Sequence, residues 1–403
     1  MSRSFRVASL LAASSIRQGS LGVTLLIILI LALVGLNLLF VPGLLGGLVS
    51  GANEKVIQTY TADIVVESRR ESMLIRDVDR LISRIEAIRG VIAATPRIKL
   101  GAELSFDDER TGAVIYGIRP EREKRVFTIH QSLIEGSYLE PGDRDGILLG
   151  IQLAGADQPD IELYYRSLRR VHAGDRITVT YASGLEKKYI VRGVFHTEYI
   201  QTDLEAFVVE KELRAANPLP PDHAASIHVN IAPNADIRSI AAQIGSLRDD
   251  LKILTWEDYA GIVRSMTGSF TVIKAILNVV NLLVAGITIF IVTYIDVVNR
   301  RRQIGIQRAI GITPGSITLA YLMRATFYAV TGIIVASLAF KYLVVPLEAR
   351  YPFHFPFGDV FLRAELWDML RTALILLSTA LAAAFIPVRA VMRVKILDAI
   401  WSS

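Results

Sequence analysis

Four apolar blocks govern what this chain can fold into. Residues 21–48, 273–298, 317–345 and 366–387 each approach or exceed the ~20 apolar residues that cross a bilayer core. Between the first two blocks lies a charged, ordinary-looking stretch of globular-domain size. The chain is therefore expected to be a multi-pass α-helical membrane protein with four transmembrane helices. A large α+β extracytoplasmic domain is inserted between helices 1 and 2. Hydrophobic residues make up 52% of the 403 positions, and the excess sits in these blocks.

The basic residues sharpen the topology. Arg3, Arg6 and Arg17 precede the first block, Arg300, Arg301, Arg302 and Arg308 follow the second, and Arg389, Arg393 and Lys395 follow the fourth. Positively charged flanks stay on the cytoplasmic side. Both termini are thus expected in the cytoplasm of a plasma (inner) membrane, with the large domain outside or periplasmic. Topology and contact with membrane lipid account for the net charge of +5, and nucleic acid is not an expected partner. The chain has no cysteine, so an exported domain must be held by its own core. The first block exceeds the ~7–15 apolar residues of a signal-peptide core and reads as a retained helix.

These observations divide the chain as follows. Residues 1–18 form a cytoplasmic interfacial helix with Phe5, Leu10, Leu11 and Ile16 on one side, and 19–49 the first transmembrane helix. Residues 50–268 are the outer domain, with an α/β subdomain (58–101 plus 222–256) and an inserted mostly-β subdomain (102–221). Then come transmembrane helix 2 (269–298), a cytoplasmic segment (299–313), helix 3 (314–346), an outer loop (347–365), helix 4 (366–388) and a tail (389–403). Within the outer domain, β-branched residues mark a strand at 61–68. Leu74, Val78, Leu81, Ile82, Ile85 and Ile88 recur at helical spacing over 72–89, and "VIAATPRIKL" is a further strand. The pattern repeats late as strand "SIHVNIAP", a helix over 236–249 and strand "KILTW". The stretch "TVTYASGLEKKYIV" has the form of a hairpin turning at Ser183 and Gly184. Residues 257–268 read as a helix leading into the second span.

Catalytic signatures are missing from the sequence. There is no phosphate-binding loop, no H-E-x-x-H, no cysteine for zinc and no G-x-S-x-G. His223 and His228 flank a proline-rich turn and a strand and do not suggest a metal site, and Asp107–Asp108 reads as a solvated turn. Asn278 and Asn281 in the second span and Arg324 in the third are candidates for function, because ionisable and polar groups in lipid are costly. An interhelical role is favoured over a transport path, since the spans hold no paired acids.

The order of one span, a large outer domain and three spans resembles the permease superfamily that includes the cell-division protein FtsX, the MacB-type exporters and the lipoprotein-releasing permeases. The last are closest in appearance. The segment "RRRQIGIQRAIGITPGSI" is similar to that family's cytoplasmic segment, through Arg300, Arg302, Ile304, Gly305, Arg308, Ala309 and Gly311. The C-terminal "PVRAVMRVKILDAI" resembles its closing pattern through Pro387, Arg389, Ala390, Arg393 and Ala399. In the outer domain "YGIRPEREKRV", "IEGSYLEPGDRDGILLG" and the stretch from Ala173 to Val208 resemble the MacB-like domains.

The resemblance implies a permease subunit without catalytic residues or cofactors of its own, paired with a dimer of cytoplasmic ABC ATPases that binds the ATP. A second permease copy or a paralogue, and an extracytoplasmic accessory protein, are further implied partners. Residues 299–313 are implied to be a coupling segment that docks on the ATPase. Ile304, Ile306 and Ile310 form its apolar surface, with Arg300, Arg301, Arg302 and Arg308 meeting acidic groups, and Gln303, Gly305, Ala309 and Gly311 completing it. ATP-driven motion is implied to pass through the spans to the outer domain and to extract or export a lipoprotein, lipid or other hydrophobic substrate. An FtsX-like signalling subunit that activates an external protein, or a membrane-anchored binding module, are the alternatives. The chain departs from the family in having Asn299 and Gln303 where glutamates are usual, Arg324 in place of a glutamate near the start of span three, and an apparent insertion over 157–170.

Overall fold

The computed structural model describes residues 3–18, 21–70, 74–155, 165–217, 219–259, 261–351, 353–355, 358–360, 362 and 366–392. Residues 1–49, 267–353 and 360–403 form one compact unit, and residues 50–266 with 354–359 form another.

The chain begins with helices α1 (Arg3–Gln18) and α2 (Leu21–Lys55), the latter passing into a π turn, Val56–Thr61. In the outer unit follow β1 (Ile64–Ser68), β2 (Ile75–Arg76), α3 (Val78–Glu86), β3 (Val91–Phe106), β4 (Glu109–Ile118) and α4 (Pro120–Val126). Next are β5 (Leu133–Gly136), β6 (Gly146–Gly150), α5 (Ile151–Ala154), β7 (Arg176–Tyr181), β8 (Glu186–Phe195), α6 (Ile200–Asp203), β9 (Glu205–Val209) and α7 (Glu210–Ala216). The unit closes with β10 (His223–Ala224), β11 (Ser226–Ile231), α8 (Ile237–Gly245), β12 (Leu251–Thr255) and α9 (Trp256–Tyr259).

The two expected β-α-β repeats are present, and they interleave. The strand order β12-β1-β11-β3 places one strand of each repeat between the two strands of the other, all neighbours antiparallel. This is a split β-α-β arrangement. Val78, Leu81, Ile82 and Ile85 of α3 and Ile240 and Ile244 of α8 pack on Ile64, Val66, Ile227 and Val229 of the sheet. The expected helix over 72–89 is shorter than its periodicity implied. Residues 71–73 lie outside the described residues, and Ile75–Arg76 pair with His223–Ala224 as a strand. Asp77 has φ +52°, which helical geometry excludes, and α3 starts only after it. Its first free amides are met by Asp222, whose Oδ1 accepts from the Asp79 N–H at 2.9 Å. The helix over 236–249 likewise ends early, at Gly245, and starts where Asp236 accepts from the Arg238 N–H.

A second correction concerns the subdomain boundary at 101/102. It falls inside β3, which runs unbroken for 16 residues and belongs to both halves of one ten-stranded sheet. Its first half pairs with β11 and its second with β4 and β7. It is a single strand whose burial pattern changes as it leaves one core and enters the next. Beyond it, β4 and β9 are parallel, as are β6 and β8. The β7–β8 hairpin turns at Gly184, whose φ of +81° few other residues adopt. Asp107 and Asp108 form the exposed turn between β3 and β4.

In the other unit, α10 (Gly261–Asn299) is followed by α11 (Arg301–Ala309) and α12 (Pro314–Ala339). A π turn, Phe340–Val344, leads to α13 (Val345–Arg350). A short strand pair, β13 (Phe353–Phe355) with β14 (Gly358–Val360), of which residues 354–359 belong to the outer unit, precedes α14 (Leu366–Met392). Four helical stretches are long and apolar enough to cross a membrane: Leu21–Thr61, Ala275–Asn299, Pro314–Arg350 and Met369–Met392. Ile27 and Leu31 of α2, Ile289 of α10, Ala325, Tyr328 and Ala329 of α12 and Ala380 and Ala384 of α14 form one core. Small residues let backbones approach closely there. A Cβ on Gly332 would sit 2.8 Å from that of Leu31.

The first helix packs differently from its expected apolar side. Ala8 and Ala12 are buried against Ala320, with Leu11, Leu319 and Met323 beside them, while Leu10 is exposed. The side chain of Ile16 and residues 393–403, with Arg393, Lys395 and Ala399, lie outside the described residues. Most of the apparent insertion does too, at residues 156–164.

Candidate functional site

The segment between α10 and α12 is a helix with two distinct sides. Thr313 starts α12 by accepting the Ser316 N–H at 3.3 Å, with Pro314 in the first helical position, and Gly311 at φ +95° ends α11. On the inner side Ile304 is 3% exposed, packed with Val297 of α10, Ile317 of α12 and Val388 of α14, and Gly305 is buried beside it. On the outer side Arg301, Arg302, Gln303, Ala309 and Gly311 are exposed, Ile306 is 48% exposed and Ile310 is 74% exposed. Arg308 is half-buried. The three isoleucines therefore do not share a surface. Ile304 anchors α11 to three long helices, and Ile306 and Ile310 are left exposed.

Two polar links tie the long helices together. Arg324, with 8% of its surface exposed, donates from Nε to the Tyr328 hydroxyl at 2.7 Å and from Nη1 to Asp296. Asp296 also accepts from Arg300 Nε at 3.1 Å. One carboxylate near the end of α10 thus gathers Arg300 and Arg324. Asp296 is a residue the sequence reasoning passed over. The signal was present: it is the lone acid in an otherwise apolar run, four residues before Arg300. In the second link Asn281 Nδ2 donates to Asn37 Oδ1 of α2 at 2.7 Å. Asn278, one turn away, is half-buried.

The outer unit holds a buried ionic cluster that sequence reasoning also missed. Arg97 is 1% exposed and Glu123 fully buried. Arg97 donates to Glu123 Oε1 from Nε at 2.8 Å and Nη2 at 2.6 Å, and Thr95 donates to Glu123 Oε2 at 3.0 Å. The guanidinium lies 3.9 Å from the centre of the Phe127 ring. Burial works against its charge, and Glu123 and Glu205 more than offset that. Glu205, 5% exposed, has an unsatisfied Oε2. Burial pushes its carboxyl up to about 8, against the pull of Arg97 and of a hydrogen bond from Tyr116. His228 is buried; its Nδ1 donates to the Thr61 carbonyl at 2.8 Å, so Nε2 accepts from Ser226 at 3.0 Å. Burial and nearby Arg97 lower it to about 3. His223 sits apart, on the Pro221 carbonyl. Among the described residues no group of three or more His, Cys, Asp or Glu is placed to hold a metal ion.

The cluster meets the chain where it enters the outer domain. Thr61 binds His228, the Tyr60 carbonyl accepts from Arg97 Nη1 at 3.4 Å, and the Thr59 and Thr202 hydroxyls lie 3.3 Å apart. The sequence signal was weak, because Arg97 shares its side of β3 with Ala93, Thr95 and Lys99 and nothing in that alternation marks it as buried. Elsewhere in this unit, a groove of about 490 Å³ runs past the C-terminal ends of β4 and β9, lined by Ile118, Val209, Pro120 and Pro221 with Arg119 and Lys211 at its rim.

Comparison with known proteins bears on the membrane unit above all. Residues 275–396 match the FtsX-like permease C-terminal family model. The chain is 22% identical over 275 residues to an uncharacterized ABC transporter permease of Methanocaldococcus jannaschii, covering 66% of this chain and 65% of that protein. It thus spans somewhat under two thirds of the curated relative. Among solved structures, the periplasmic region of MacB from Actinobacillus actinomycetemcomitans is 13% identical with a TM-score of 0.36, covering 50% of this chain and 92% of that one. The extracellular domain of the noncanonic ABC-type transporter YknZ from Gram-positive bacteria is 12% identical with a TM-score of 0.35, covering 48% and 99%. Over residues 275–396, then, the chain is similar to the C-terminal domain of FtsX-like permeases.

Proposed function

We propose that the chain is the permease subunit of an ABC transporter that passes ATP-driven motion from a separate cytoplasmic ATPase to its outer domain. The observation that carries this reading is the two-sided α11. Ile304 fixes it among α10, α12 and α14, while Arg301, Arg302, Ile306 and Ile310 face outward. A push on the outward side therefore reaches three spans through one packed residue. At the other end, α2 passes through the π turn into Thr59, Tyr60 and Thr61, which are bonded to the buried cluster. That supports transmission along a stiff path rather than a channel. The cargo is a lipoprotein, lipid or other hydrophobic substrate held outside the bilayer, ATP stays on the partner, and two permease chains serve two ATPases. Both termini lie in the cytoplasm in this arrangement.

Detergent co-purification with the candidate ATPase tests the proposal. Wild type should retain the ATPase, and Arg302→Ala/Ile306→Ala/Ile310→Ala should retain at least about tenfold less, as expected when apolar and arginine anchors leave an interface. Ile304 is left in place so that the bundle core stays whole. Equal retention by both chains, or none by wild type, overturns the coupling reading.

A further inference from the structure

A small polar cavity lies between α1, α11 and α12. Ser15, Arg300, Gln303, Gln307, Tyr321 and Arg324 supply its polar lining. Its volume is about 30 Å³, room for about two waters where one needs ~10–15 Å³. We infer that this cavity binds the phosphate of an anionic membrane phospholipid. The inference rests on the reading that the long helices cross a bilayer, and not on the coupling role of α11.

Charge is the first reason. Arg300 and Arg324 converge on one carboxylate, Asp296, and among the described residues neither guanidinium has a second acid within ion-pair distance. The group carries one excess positive charge in a half-buried place, where an anion is strongly favoured. Arg300 uses only Nε on Asp296, and among the described residues its two terminal nitrogens have no hydrogen bond. That leaves the planar fork suited to phosphate. Depth is the second reason. The α12 residues of the cavity run from Ile317 to Arg324, roughly 5–15 Å along the helix from Pro314. That is the zone in which headgroups meet acyl chains. The third is the wall. Leu11, Ala12, Ile304, Ile317 and Ala320 complete the lining with apolar groups. On α1, which forms one side, Leu10 is 71% exposed. Free phosphate has no use for such a wall, whereas a lipid does.

Native mass spectrometry of the full chain, purified without any ATPase, tests this with phosphatidylglycerol and phosphatidylcholine offered at equal concentration. Wild type should retain phosphatidylglycerol in preference. Arg300→Gln should weaken that retention about tenfold, as for a lost charge-assisted hydrogen bond. Arg301→Gln makes the same charge change on an exposed position that does not line the cavity, and should leave retention unchanged. Tyr321→Phe, a gentler change, should show a smaller loss and carries the test if Arg300→Gln does not fold. Equal retention of the two lipids overturns the inference, as does an equal loss in Arg301→Gln, which would mark diffuse surface attraction. Displacement of the lipid by millimolar inorganic phosphate would also overturn it, by making the cavity a plain anion site.

Discussion

In the outer domain a guanidinium at 1% exposure is held by a carboxylate, a backbone carbonyl and an aromatic face, whereas in the membrane unit Asp296, Arg300, Arg324 and Tyr328 form the one ionic group among the described residues. The difference follows from the backbone. The outer cluster draws on two backbone carbonyls freed where the π turn after α2 ends, those of Tyr60 and Thr61. A membrane helix satisfies its own backbone. Its polar side chains must find one another, so each link joins two helices and stands almost alone. Several bonds converge on the outer cluster, whereas each membrane link rests on a few side chains alone.

Removing the centre of the outer cluster should have the largest effect. Arg97→Met leaves Glu123 buried without its cation, and the outer domain should lose ~3–5 kcal/mol of stability. The double variant Arg97→Met/Glu123→Leu should regain most of it, because apolar groups can replace a buried pair at little cost. Thermal unfolding of the full chain in detergent, with hydrogen exchange at β3 and β9 to place the effect, measures both. A double variant as unstable as the single one would mean that packing around Phe127 and Phe207, not charge, holds this region.

The same cluster predicts a pH dependence of the outer domain. In the folded chain Glu205 keeps its proton up to about 8, while in the unfolded chain it loses it at an ordinary carboxylate value near ~4.3. The folded state therefore binds the extra proton between those values, and stability falls as pH rises through them. Asp203, raised by burial to about 6, acts in the same direction below that pH, and His228, lowered to about 3, acts in the opposite direction below its ordinary ~6.5. From pH 6.5 to 8 Glu205 stands clear of both, and the outer domain should lose about 2 kcal/mol. Glu205→Gln should flatten that limb in exchange rates corrected for intrinsic pH dependence. A wild-type profile already flat there would mean that Glu205 is ionised and paired with Arg97.

The two regions were also unequally legible in the sequence. Membrane helices announce themselves by length and apolarity, and the described helices cover all four blocks. In the outer domain the repeats were legible because Val78, Leu81, Ile82 and Ile85 recur at helical spacing. Their interleaving was not, because strand order is set by long-range pairing such as Ile64 with Val229. Ile304 illustrates the limit at the candidate site. Three isoleucines within seven residues suggest one surface, but α11 turns by about 100° per residue. That sends Ile304 inward and leaves Ile306 and Ile310 out. Asp296 was missed for a similar reason. An arginine's partner 28 positions away becomes visible only when two helices lie side by side.

The smallest expected effect sharpens the contrast most. Asn281→Leu removes the bond to Asn37, one of the few polar contacts between α2 and α10. Hydrogen bonds between membrane helices average only ~0.6 kcal/mol, because unpaired helices find other partners in the membrane. Overall stability should therefore fall by less than about 1 kcal/mol, a fraction of the cost expected for Arg97→Met. Movement should change more than stability. With the amide link gone, α2 and α10 are free to slide along an otherwise apolar seam, and a cysteine pair placed across that seam should crosslink over a wider range of registers than in wild type. If the variant instead loses several kcal/mol and the crosslinking pattern stays narrow, the membrane links are as rigid as the outer cluster.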